Sequence, residues 1–228
     1  MSEKKKERSK NIVWLCSEAV PYAKSGGLAD VSGALPEALS KRGHNVSVIM
    51  PFYPQIMGEH NKNLKVRYKL LGIPFGHHTE WAQILEDKIS DNLSFYFIEY
   101  HRFYDRPFLY EYYGKGYEDN PDRFIFLSRA SMQAILALKL HPDIIHTNDW
   151  HTALACVYRK SHLYSGFPDF KHCASILTIH NIAYQGNFWK GYINLTGLGW
   201  EYFNYHCLEY YDAICLLKGG IATAHMIN

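Results

Sequence analysis

The chain has 228 residues, 47% of them hydrophobic and 20% charged, a balance that excludes a disordered or fibrous protein and suits one large domain or one half of a two-domain enzyme. The formal net charge of +2 arises in residues 1–10, where five Lys or Arg stand against two Glu; 19 basic and 20 acidic residues remain elsewhere. No basic stripe with interleaved aromatics speaks for nucleic acid, no stretch approaches membrane-spanning length, and five scattered cysteines without a CxxC pair read as free thiols of a cytoplasmic protein.

Residues 1–10 have the composition of a disordered basic tail, which leaves 11–228 as the folded domain. The continuous apolar run 12–16 predicts a parallel strand covered on both faces. Leu28, Val31, Leu35 and Leu39 recur at helical spacing, and Lys41, Arg42 and Gly43 place cations in the last turn with a glycine just beyond it. Pro36 is expected to kink that helix or restart it. Residues 46–50 make a second strand, stopped by Pro51, and complete a βαβ unit. Segments 65–71, 79–85 and 93–98 alternate in polarity and predict an antiparallel meander inserted near the sheet edge. The Tyr-rich stretch 104–119 has no period and reads as a functional or mobile loop. A helix is expected over 121–140, capped by Asp119 or Asn120, then a strand over 143–146, a helix over 152–160 and a strand over 175–179. The chain is aromatic and irregular from 189 to 211, and a short helix over 218–222 leads into a further strand at 225–228. The fold class is therefore α/β, Rossmann-like and mostly parallel, with a β insertion between residues 60 and 100.

Polar clusters follow three of these strands. Lys24-Ser25-Gly26-Gly27 stands at a strand-to-helix turn, where bare backbone, free amides and a positive charge suit a phosphate or diphosphate. The same residues also fit a plain tight turn with Lys24 in solvent. Neither GxxxxGK[ST] nor GxGxxG is present, and the second strand ends in Met50-Pro51 without an acidic residue for a ribose, so an ordinary NAD site is excluded. His146-Thr147-Asn148-Asp149-Trp150-His151 spans the next strand end, where Asp149 suits either a helix cap or a carboxylate for sugar hydroxyls. His180-Asn181, with Gln185 and Gly186 beyond, follows the third strand. Ligands of open α/β sheets bind beyond the carboxyl ends of strands, which is where all three clusters fall.

Four stretches, CSEAVPYAKSGGLADVSGALPEAL (16–39), FYDRPFLY (103–110), HTNDWHT (146–152) and ILTIHNIAYQGNF (176–188), resemble the catalytic region of bacterial glycogen synthases and plant starch synthases. The resemblance runs from residue 12 to the end. It implies a GT-B glycosyltransferase with two Rossmann-like domains facing across a cleft. It also implies transfer of glucose from ADP-glucose or UDP-glucose to the non-reducing end of an α-1,4-glucan, with retention and with neither cofactor nor metal. By that resemblance Lys24 binds the donor phosphates beside the Gly26 and Gly27 backbone. Asp30, Tyr110, Asp149 and His180 line the glucose and acceptor side, with Asn181 and Gln185 nearby. His180, Asp149 and Lys24 carry the catalysis. Tyr112 or Tyr113 could fill the place of Tyr110. Asn148 stands where relatives often carry a second histidine or an acid, a change expected to matter little. The C-terminal nucleotide-binding domain of that family has no counterpart here, so the chain is expected to be the N-terminal, acceptor-side half, inactive when isolated. A plant or algal source would imply a plastid location. Two other readings stay open, a non-catalytic glucan-binding module and a zinc hydrolase using His146, Asp149, His151 and His180.

Overall fold

The computed structural model describes residues 8–228, and most of the predicted tail, residues 1–7, lies outside the described residues. Beyond it, Lys10 Nζ lies 3.3 Å from Asp143. The first unit is strand β1 (Asn11–Leu15), helix α1 (Gly27–Lys41) and strand β2 (Asn45–Pro51). Strands β3 (Lys65–Phe75), β4 (His78–Ser90) and β5 (Leu93–Glu99) follow. A single helical turn, α2 (His101–Tyr104), and a two-residue hairpin, β6 (Glu111–Tyr112) with β7 (Lys115–Gly116), lead to the long helix α3 (Asn120–Ala137). Strand β8 (Ile144–Asn148) runs directly into α4 (Asp149–Lys160); the short α5 (Pro168–Lys171) precedes β9 (Ala174–Thr178). The last part holds β10 (Asn187–Trp189), α6 (Ile193–Thr196), β11 (Glu209–Tyr210), β12 (Ala213–Cys215), α7 (Leu216–Thr223) and β13 (Met226–Ile227).

The main sheet has the order β13-β9-β8-β1-β2-β5-β4-β3. From β13 to β5 every pairing is parallel, and β4 and β3 add an antiparallel edge. The meander expected over residues 65–98 is thus divided: β5 pairs with β2 in parallel, so only two of its strands are additions. A parallel core strand and an edge strand can show the same short alternation when one end of the core strand is partly exposed, which is why the pattern did not separate them.

Val13, Trp14 and Leu15 are buried, as their unbroken apolar run requires. Trp14 Nε1 donates to Ser32 of α1 at 3.1 Å, and its ring meets His146, its register partner on β8, at 4.1 Å. Thr147, the next residue, turns to the other face and reaches Cys156 of α4 at 3.3 Å. Helices therefore cover both faces of the central strands.

Helix α1 runs uninterrupted through Pro36, so it does not restart there. It ends as its last residues dictate: Gly43 at φ +92° donates to Ser40, and His44 to Leu39, satisfying two terminal carbonyls. Neither Asp119 nor Asn120 caps α3 by its side chain. Asp119 pairs with Arg106, and Asn120 donates to the Tyr110 carbonyl at 2.8 Å while accepting from Arg123 at 2.7 Å. Around the irregular stretch forms a three-stranded sheet, β10-β12-β11, whose strands of two or three residues are too short to show any period.

Candidate active site

With the parallel strands aligned, their carboxyl ends form one edge, and the loops after β1, β8 and β9 are neighbours along it. At the β8 end, Asn148 is fully buried and closes the strand; the helix begins on the next residue, earlier than the Thr152 start expected. Asp149 is buried and adopts φ +54°, a left-handed conformation that Asp tolerates better than most residues and that is concentrated at functional sites. Its side chain does not cap α4. Instead Oδ1 accepts from the backbone N–H of His180 at 2.8 Å and of Asn181 at 3.2 Å, tying the end of β9 to that of β8. Burial outweighs these two donors and raises the Asp149 pKa above the ordinary carboxylate value. Among the described residues, its Oδ2 accepts no hydrogen bond.

The His180 ring lies half-buried with Nε2 2.9 Å from Asn148 Oδ1. Asn148 Nδ2 in turn donates to the Leu15 carbonyl at 2.9 Å, so one buried amide links β1, β8 and the residue that follows β9. Asn181 and Gln185 turn back onto their own loop: Asn181 Oδ1 accepts from the Ala183 N–H at 3.0 Å, and Gln185 Nε2 donates to the Ile182 carbonyl at 3.2 Å. Gly186 ends this loop at φ +65° against Trp150, where a Cβ would lie 2.6 Å from the indole.

At the β1 end, Lys24 Nζ bonds both Asp30 oxygens, at 2.7 and 2.8 Å, and the two side chains are 52% and 57% exposed. A Cβ added at Gly26 or Gly27 would meet nothing within 4 Å, so open space lies before this turn. Its amides are only partly free. The buried Glu18 carboxylate accepts from the N–H of Ser25 and of Gly26 and from the Ser25 hydroxyl. A protein carboxylate thus occupies part of the anion position expected for a phosphate.

Tyr110 stands between these groups. Its hydroxyl is 2.6 Å from Ser17 Oγ, and its ring stacks on His151 at 4.7 Å. Burial and the nearby Glu18 push its pKa well above the phenol value. Tyr112 and Tyr113 lie exposed on the β6–β7 hairpin instead. His151 is buried with Nδ1 unpartnered, and burial holds its pKa down at about 3. His146 bonds Thr178 Oγ1 at 2.7 Å, and burial, then the His180 charge, lowers its pKa to about 4. The four residues of the zinc reading therefore point to different partners, and among the described residues no three His, Cys, Asp or Glu side chains converge as metal ligands would. All five cysteines are buried and free, with Cys16 and Cys173 pushed up by burial to about 12.

The structure thus brings together Lys24 with Asp30, and Asp149 with His180 and Asn181. It also draws in two residues that were given no site role from the sequence. Asn148 meets the His180 ring, and Glu18 accepts from two amides and a hydroxyl of the glycine turn. Asn148 is the last residue of β8, whereas Glu18 lies three residues beyond the end of β1.

These features define a Rossmann-like lobe with ligand-type groups gathered along the carboxyl edge of its sheet. Residues 11–228 match the family model described as the starch synthase catalytic domain, and the chain belongs to that family. Its lobe is accordingly of the GT-B glycosyltransferase type. It is 41% identical over 220 residues to glycogen synthase 1 of Geobacter sulfurreducens, and 41% identical over 218 residues to glycogen synthase of Caldicellulosiruptor saccharolyticus. These alignments cover 96% and 95% of this chain and 44% of each relative, so the chain spans less than half their length. Among solved structures, the catalytic domain of starch synthase IV from Arabidopsis thaliana, bound to ADP and acarbose, superposes with a TM-score of 0.86 at 26% identity. That match covers 96% of this chain and 44% of the other. Among the described residues no helix is long and apolar enough to cross a membrane.

Proposed function

We propose that this chain is the N-terminal, acceptor-side half of a cytoplasmic retaining glucosyltransferase that moves glucose from ADP-glucose or UDP-glucose to an α-1,4-glucan. The observation that carries the reading is the β8–β9 edge. There the Asp149 carboxylate and the His180 ring are fixed by hydrogen bonds yet, among the described residues, keep Oδ2 and one ring nitrogen without protein partners. A carboxylate and an imidazole so placed accept hydrogen bonds from sugar hydroxyls without reorganising. Along the same edge, Lys24 can leave Asp30 for a diphosphate that meets the start of α1. Charge developing on the leaving diphosphate is stabilised by that cation and by the helix N-terminus. The remaining nucleotide contacts come from a C-terminal domain of the same enzyme, and neither cofactor nor metal enters the scheme.

The exposed aromatics Trp189, Trp200, Tyr205 and Tyr211 also favour a second reading, a glucan-binding module without catalysis. One experiment separates them. Residues 11–228 are fused to the remaining part of the Geobacter sulfurreducens relative and assayed for transfer of labelled glucose from ADP-glucose to glycogen. The fused protein transfers glucose, His180→Ala abolishes transfer, and the 228-residue chain alone transfers none measurable. A folded fused protein that binds glycogen but transfers nothing supports the binding module instead.

A further inference from the structure

Asn148 is buried, polar and bonded on both sides of its amide, and the chemistry of its partners fixes which way it faces. The Leu15 carbonyl oxygen can only accept, and it lies 2.9 Å from the amide nitrogen. Turned over, the amide would set its oxygen against that carbonyl, leaving two acceptors in contact with no hydrogen between them. Oδ1 must therefore face His180 Nε2 at 2.9 Å, and an amide oxygen accepts only. Nε2 then carries the hydrogen. The His180 backbone N–H is held just as firmly, by Asp149 Oδ1 at 2.8 Å.

We infer that Asn148 is a positioning residue that locks neutral His180 in the Nε2–H tautomer, leaving Nδ1 as the only ring atom able to accept a hydrogen bond from a ligand hydroxyl. The neutral imidazole has one donor and one acceptor nitrogen, and whatever bonds one of them determines what the other can do. Here the donor is spent inside the protein. Because Asn148 Nδ2 is anchored on β1, the tautomer is set by the sheet and not by the loop that follows β9. As a statement about ligand contacts this rests on the sugar-side reading above; as a statement about the ring it stands alone.

The test is made on the unliganded 228-residue chain. Nitrogen-15 correlation spectra, taken at a pH about two units above the ordinary histidine value, report which ring nitrogen bears hydrogen. His180→Gln assigns the signal among the 13 histidines. The wild-type ring shows a protonated Nε2 and a bare Nδ1, and in Asn148→Ala the same ring redistributes between both tautomers. A protonated Nδ1 in the wild-type chain overturns the inference. So does an unchanged tautomer in a folded Asn148→Ala chain. If that variant does not fold, the wild-type spectrum still decides. Glucose transfer plays no part in this readout, so a failed transfer assay with a protonated Nε2 counts against the functional reading alone.

Discussion

At the β8–β9 end of the carboxyl edge, Asn148 and Asp149 are buried and hold His180 by both its ring and its main chain, while at the β1–α1 turn Lys24 and Asp30 are more than half exposed and hold each other. Groups fixed by buried hydrogen bonds meet a ligand without reorganising, and moving them is costly. An exposed ion pair contributes about 1 kcal/mol or less, so its cation exchanges a carboxylate for a phosphate at little cost. At the β8–β9 end the polar groups are already fixed within this chain. The other end is poised, with Glu18 filling the amides of Ser25 and Gly26 and open space before Gly26 and Gly27. On the function proposed above, binding energy would reside in rigid recognition at the β8–β9 end and in exchangeable charge at the β1–α1 turn.

The largest effect is expected from Lys24→Ala in the fused protein of the transfer assay. Loss of one well-placed charge-stabilising donor lowers the rate by about 10²–10³-fold. The urea unfolding midpoint stays put, because the Lys24–Asp30 pair is exposed. A near-normal rate would mean that the turn does not meet the phosphates.

Next in size is the response of the buried edge to acid. His146 and His151 have folded-state values of about 4 and about 3, below the ordinary 6.5. Unfolding therefore takes up protons below pH 6.5, and stability falls as pH drops through that window, by up to about 1.4 kcal/mol per pH unit for each imidazole. Asp149, raised by burial, acts in the opposite sense: its share is present at low pH and is lost as pH rises above the ordinary carboxylate value. Unfolding curves at several pH values should show the fall, and His146→Gln should flatten it. A slope unchanged by that substitution would show that His146 is free to protonate in the folded chain.

A smaller effect is expected from Glu18→Ala. It removes a buried carboxylate that accepts three hydrogen bonds from an otherwise exposed turn, and should cost about 2 kcal/mol in chemical denaturation, the range for bonds to a charged group. No loss of stability would mean that water replaces the carboxylate freely and that the turn is already open to anions.

The parallel strands were legible because burial on both faces leaves continuous apolar runs, as at Val13-Trp14-Leu15, and the α1 terminus because Gly43 supplies a left-handed residue. The Lys24, Asp149 and His180 clusters were legible as polar residues at apolar strand ends. What the sequence did not disclose are relations between distant residues. Asn148 meets Leu15 across 133 positions and His180 across 32, and nothing local in either neighbourhood marks the bond. Glu18 was hidden in another way. It lies inside a motif read for its lysine and glycines, and only the folded turn shows that its carboxylate competes for the same amides. The split of the β insertion between β5 and the β3–β4 edge escaped because local alternation does not tell which neighbour a strand will choose.

The central claim, that this chain carries a finished sugar side and only a fraction of the nucleotide side, is tested most directly by titrating the 228-residue chain with a maltooligosaccharide and separately with ADP, followed by calorimetry and NMR shift mapping. The maltooligosaccharide is expected to bind with a dissociation constant of about 1 mM, equivalent to roughly −4 kcal/mol, with perturbations at Tyr110, Asp149 and His180. ADP is expected to bind more weakly still, with shifts confined to the Lys24 turn. Micromolar ADP binding by this chain alone would contradict that expectation, because the nucleotide pocket would then lie within residues 11–228.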